Sequence, residues 1–251
     1  MSDHRVKLPS RRHRKPGTAR ANRPGDVLRC LLLARGPEWV VVDVASGALV
    51  RSRASGWPVV ATDSALALGA SRDYAGSERA HIGPELDVVE IELADDDEPF
   101  DPARPEAVMV RRAPELVGTP RRRAARRILK ELLPVDSKRP LLGSLGPSIS
   151  YEDLDGLRPS VMVVAPDATP VFTCDDATGT WCQFSLAGRK HRLAVVDERI
   201  IGDDSRSRDG TFPADAIERA IGGAPRYLVV ALGPPRRGQA PKLVLGVLRR
   251  P

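Results

Sequence analysis

The sequence predicts an α+β fold: two tandem, duplicated, mostly antiparallel β-rich modules, each β-β-β-β-α-β-β, joined by an Arg-rich helix. Three observations predict it. Short apolar runs alternate with turn chemistry in two separate stretches, which is how antiparallel strands read. The two stretches share a running order of local motifs, the signature of an internal repeat. Between them lies one strongly amphipathic helical segment. The expected organisation is a disordered basic tail over 1–25, a first module over 26–114, a linker carrying the basic helix over 115–158, and a second module over 159–251.

In the first module, 26–35, 38–44 and 48–53 read as strands, separated by Gly36-Pro37 and Ala45-Ser46-Gly47. A fourth strand is expected at 57–61 and a weak helix at 63–80. Residues 86–93 alternate, with Val89, Ile91 and Leu93 on one side and Glu90 and Glu92 on the other. That pattern suits an antiparallel strand with one wet face. Residues 107–112 close the unit.

The second module repeats this plan, with strands at 160–165, 170–174, 180–186 and 190–196. A short helix is expected over 213–221, with Pro213 in its first turn and Gly222 just past its end. Ala216, Ile217, Ala220 and Ile221 form its apolar stripe. Strands at 227–232 and 242–248 complete the unit.

The repeat itself rests on preserved order. The segment 58–63 has a counterpart at 193–197, Glu78-Arg79-Ala80 at Glu218-Arg219-Ala220, and Val108–Pro114 at 246–251. This register places Val89 over Val230.

The linker helix is expected to be capped by Thr119, with Pro120 at its first position and Pro134 at its end. Ala125, Ile128, Leu129 and Leu132 recur at helical spacing. Arg122, Arg123, Arg126, Arg127 and Lys130 fill the rest of its surface, and arginines in the first turn oppose the helix dipole. The basic face is either simply solvated or faces an acidic partner: a nucleic-acid backbone, or the run Asp95-Asp96-Asp97-Glu98 of the same chain.

Charge is unevenly placed along the 251 residues, whose net charge is +6. The tail holds eight Lys or Arg against one Asp, whereas 26–114 holds nine against sixteen Asp or Glu. The chain thus has a basic arm on an acidic first module, unlike a uniformly basic binder. Arg11, Arg12, Arg14 and Lys15 concentrate the arm's charge, and prolines and a lack of apolar side chains leave it nothing to bury. It reads either as a solubilising segment, free or folded against the acidic module, or as a polyanion-binding arm.

No apolar run reaches the length of a membrane span and no secretory signal is legible, so a cytoplasmic protein without a membrane partner is expected. Three cysteines without a Cys-x-x-Cys pair argue against a disulfide framework. Cys174, Cys182 and His191 match no zinc spacing and are expected to be structural, with no metal bound. His81 aligns with Ile221 and reads as packing. Neither a nucleophile elbow nor a Walker loop is present, because Gln239 stands where the loop between Gly233 and Gly238 would need Lys. Asp203, Asp204 and Asp209, interspersed with Arg206 and Arg208, read as a solvated loop.

No catalytic residue or cofactor is therefore assigned. The expected role is a non-catalytic interaction protein whose basic arm and helix contact a polyanion such as nucleic acid, or an acidic protein. Its candidate residues are Arg11, Arg12, Arg14, Lys15, Arg122, Arg123, Arg126 and Arg127. The alternative is an enzyme with a site in the groove between the modules. Trp57, Trp181 or Tyr151 exposed beside arginines would favour binding. A deep pocket of converging ionisable groups would favour the enzyme.

Overall fold

The structure is a computed structural model that describes residues 5–6, 25–34, 40–45, 48–52, 86–94, 101–111, 115–134, 139–175, 179–201 and 210–251. It is mixed α and β, dominated by strands in two sheets with few helices. The expected strand at 57–61, the helix at 63–80, Glu78, His81, the acidic run 95–98 and the loop 203–209 lie outside the described residues, as does the basic cluster 11–15.

The first sheet contains β1 (Arg5–Val6), β2 (Val27–Ala34), β3 (Val40–Asp43), β4 (Leu49–Ser52), β5 (Val88–Glu92), β6 (Ala107–Val108) and β7 (Glu115–Pro120), in the order β1-β7-β5-β2-β3-β4-β6. β2, β3 and β4 form an antiparallel meander, and β6 lies parallel to β4. β5 pairs antiparallel to β2. Just beyond β5 and β6 the path closes on itself: Leu93 bridges Val110, the Ala94 N–H donates to the Met109 carbonyl (3.0 Å) and the Arg111 N–H to Glu92 (2.9 Å). The strands therefore form a ring. Its inside is filled by Cys30, Leu32, Val41, Val50, Val89, Ile91 and Leu93. The alternation read at 86–93 is thus a division between barrel interior and outside. Glu90 and Glu92 pair with Arg29 (2.7 Å) and Arg111 (3.2 Å).

The second sheet is built from β9 (Val161–Val164), β10 (Val171–Asp175), β11 (Gly179–Leu186), β12 (Arg189–Val195), β13 (Gly210–Thr211), β14 (Pro225–Leu232) and β15 (Gln239–Arg249), in the order β13-β10-β11-β12-β15-β14-β9, with β8 (Ser148–Ser150) paired to β15. β10, β11 and β12 again form an antiparallel meander, and β12 again pairs in parallel with the last long strand, β15. β14 pairs antiparallel to both β15 and β9. β9 and β10 follow one another in the chain, and the Asp167 N–H between them donates to the Ser185 carbonyl of β11. They act as one bent strand that closes a second ring. Phe172, Cys182, Phe184, Leu193, Leu228, Val230 and Val244 fill it.

The two rings pack through a third cluster that alternates residue by residue with their interiors. It takes Leu31, Leu33, Ala34, Val40 and Val42 from the first sheet and Val161, Val163, Val229, Ala231, Leu243 and Leu245 from the second. Both faces of these strands are buried, which is why they read as near-continuous apolar runs. At Gly246 the backbones meet: a Cβ there would lie 2.7 Å from the Ala34 Cβ and 2.9 Å from the Leu33 carbonyl oxygen.

A buried polar seam crosses the same junction. Arg51 on β4 is fully buried; its Nη1 donates to Ser160 Oγ (2.6 Å) and its Nη2 to the Leu232 carbonyl (2.8 Å). Glu106 accepts from the Ser160 N–H (2.9 Å) and hydroxyl (2.5 Å). A buried guanidinium is tolerated only with such partners.

α1 (Arg122–Leu132) docks Ala125, Ile128 and Leu129 inward as its periodicity predicts. The expected Thr119 cap is corrected. β7 runs on through Pro120, so Thr119 is a strand residue and Arg121 holds the cap position without a side-chain bond. Competition from the sheet ladder outweighs the capping preference, because β7 adds to β5 and β1. The stretch 115–158 is also more than a connection. β7 and β8 join the two sheets, and Leu141 and Leu142 are buried in the second ring's core.

The second-module helices are α2 (Glu198–Ile201) and α3 (Ala214–Ile221). α3 ends as expected: Gly222 takes φ 74°, and its N–H returns to the last helical turn. At the start of α2, the carboxylate of Asp197 accepts from the Arg199 side chain and from the Val247 N–H, tying the helix to β15.

Candidate nucleic-acid interface

Two described surfaces carry concentrated positive charge. The first is α1. Arg122, Arg123, Arg126, Arg127 and Lys130 are exposed, and no acidic residue stands in its first turn. Arg126 is committed in part, because its Nε donates to the Pro251 carbonyl (2.8 Å). Arg127 lies 4.0 Å from Glu131. Arg122 and Arg123 make no hydrogen bond or ion pair among the described residues. They stand where the helix dipole already disfavours cations, so an anion placed there relieves both.

β1 bears on the tail. Arg5 and Val6 pair with Thr119 and Pro120, immediately ahead of α1.

The second surface was not singled out as a whole by the sequence. β11 and β12 are joined by a tight turn in which Ala187 and Gly188 both have positive φ (51° and 74°), the geometry that matches strand twist. The Asp167 carboxylate accepts from both turn N–H groups (3.2 and 2.9 Å). This fixes the register in which Gln183 faces Arg192, Trp181 faces Ala194 and Ser185 faces Lys190. Because Cys182, Phe184 and Leu193 point into the ring, Trp181, Gln183, Lys190 and Arg192 point out of it.

Arg192 and Trp181 are diagonal cross-strand neighbours, and the guanidinium carbon sits 4.3 Å from the indole centroid. Arg189, Lys190, Arg192 and Gln183 are exposed, and Trp181 is partly so. Ala194, opposite Trp181, packs at the margin of the inter-ring cluster, so the aromatic stands where cover by the first ring ends. Of the three aromatics the sequence proposed as indicators, Trp181 is the one beside an arginine on a surface. Tyr151 packs on the second core with its hydroxyl donating to Asp101 (3.3 Å), and Trp57 lies outside the described residues. The alternation of Lys190 and Arg192 across a hairpin from Trp181 was the signal available for finding this face.

The thiols and the histidine sit differently. Cys30 and Cys182 are buried in the two ring interiors, and desolvation pushes both thiols upward. His191 stacks on Phe184 at 5.2 Å, and burial, with Lys242 and Arg189 nearby, holds its pKa down. No group of His, Cys, Asp or Glu among the described residues is placed to hold a metal ion.

Lys242 is buried, and burial lowers its pKa to about 8. Its Nζ donates to the Ser144 and Gly146 carbonyls at 2.7 Å each, so the small-residue loop 143–146 is fastened to β15 by this ammonium. Both bonds tie the loop to the second sheet.

Comparison with known proteins gives no relative: no family model, no curated protein and no solved structure matches this chain.

Proposed function

We propose that this chain is a non-catalytic nucleic-acid-binding protein built from two copies of one five-stranded unit, 26–114 and 159–251, whose rings share a core and act as one body. The duplication is supported by the pairing order. In each half the first three strands form a meander, the third pairs in parallel with the last, and the penultimate pairs antiparallel with both the last and the first. Val89 and Val230 fall at matching places in that order, both inside their rings. Small closed barrels of Greek-key type serve as binding modules in unrelated proteins, which permits the role without assigning a ligand.

The observation that carries the reading is the outer face of β11 and β12, where Arg192 lies over Trp181 and Lys190 stands exposed on the same side. Arg122 and Arg123, exposed on α1, and the tail cluster Arg11, Arg12, Arg14 and Lys15 supply further cationic contacts. Phosphate contacts of this kind position a nucleic acid without reading its sequence.

The test is oligonucleotide binding by fluorescence anisotropy at several salt concentrations. The full chain should bind with a steep negative salt slope. Removing residues 1–25 should reduce that slope by roughly 3–4 units on duplex DNA, at about 0.9 per phosphate, if half of the tail's charges engage. Arg122→Ala with Arg123→Ala should take off a further one to two units. Absence of binding at low salt would overturn the proposal.

A further inference from the structure

We infer that the Trp181–Arg192 pair is a stacking platform for an unpaired base, so that the ligand of this face is single-stranded. The inference rests on the nucleic-acid reading above and adds to it which form is recognised. The guanidinium of Arg192 already lies over the indole at 4.3 Å, so the two planar groups stand in the arrangement that a nucleobase joins. Bases stack on aromatic rings and on arginine planes alike, and only an unpaired base can present its flat face to one. In a duplex those faces are hidden by neighbouring pairs.

The surroundings fit a strand running along the hairpin. Lys190, on the same side as Arg192, extends the positive charge toward the turn, where it meets a neighbouring phosphate. Gln183, directly across from Arg192, offers both a donor and an acceptor to a base edge. Val171, 46% exposed and paired with Gln183, extends the face with an apolar surface on the neighbouring strand. An acidic peptide would answer the charge but would leave the stacked pair without a planar partner.

The experiment uses the full chain and three probes at one salt concentration: a labelled 15-nucleotide single strand, the same sequence as a duplex, and inorganic polyphosphate as a competitor without bases. The single strand should bind at least tenfold tighter than the duplex and should quench tryptophan emission. Trp181→Ala should weaken single-strand binding about tenfold, the scale of one base–aromatic stack, with the salt slope unchanged. Trp181→Phe should restore much of the loss. Arg192→Lys keeps the charge on an exposed position and removes the plane, so it should weaken the single strand several-fold while leaving duplex and polyphosphate unaltered. It also guards against a Trp181→Ala protein that fails to fold. Equal binding of single strand and duplex, or an Arg192→Lys protein indistinguishable from the parent, would overturn the platform while leaving polyanion binding in place. No binding of any probe would overturn both readings together.

Discussion

The outer surface of the first three strands has opposite fates in the two rings. In the first it is apolar: Leu31 and Leu33 on β2, Val40 and Val42 on β3 and Leu49 on β4 all face the second ring. In the second it is polar and open, with Thr173 on β10, Trp181 and Gln183 on β11, and Lys190 and Arg192 on β12. One backbone plan thus presents either a buried docking face or an open polar face, depending on every second residue of three strands. Each ring also places an arginine on its third strand's outer side. Arg51 is buried against Ser160 and Leu232, while Arg192 lies on a tryptophan in solvent. The difference shows that burial, not residue type, separates a cation committed to the fold from one left on the surface.

The comparison breaks most severely at Arg51. Arg51→Met leaves the Leu232 carbonyl and the Ser160 hydroxyl without their buried donor, at about 1–3 kcal/mol for each acceptor left unsatisfied. Urea denaturation should show that loss. Leu33→Ala, which empties part of the docking face, should cost about 2–4 kcal/mol by the same measurement. Gly246→Ala forces a Cβ against the Ala34 backbone and should cost about 1–3 kcal/mol, since a strand on each side must yield.

Lys242 sharpens the contrast through pH. Its folded pKa, lowered to about 8 by burial, lies below the ordinary 10.5, so the unfolded chain binds more protons between those values. Stability should therefore rise as pH climbs from about 8 to 10.5, by at most about 3 kcal/mol at 1.36 kcal/mol per unit. Below pH 8 the whole cost of burying the ammonium is present. Denaturation midpoints should show this component in the parent and lack it in Lys242→Met. The smallest effect is expected on the open face: Gln183→Ala and Lys190→Ala should change stability by less than about 0.5 kcal/mol, against the larger loss at Leu33 on the equivalent covered face.

Much of the fold was legible because it is written in local chemistry. Strands at 26–35, 86–93, 180–186 and 227–232 and the helix ending at Gly222 follow from alternation and turn residues within a few positions. Thr119 reads locally as a cap because its strand partner, Arg5, and the Val88 that pairs with Gly118 beside it are remote in sequence, and no local pattern reports a ladder formed across that distance. The same limit hid the candidate face. Trp181 and Arg192 are eleven positions apart and meet only through hairpin register, whereas the arginines of α1 are adjacent in the chain and stood out at once. Ring closure through Leu93 and Val110 likewise depends on geometry that spacing alone does not carry.

β15 gives Ala240, Val244 and Val247 to one core and Leu243, Leu245 and Leu248 to another. Either core can form only when this strand is correctly registered, and a slip by one residue would send each set to the wrong side. β15 is thus a keystone shared by the two cores. Until it is placed beside β14, the first ring's docking face has no stable cover, and the folding chain carries an exposed apolar surface.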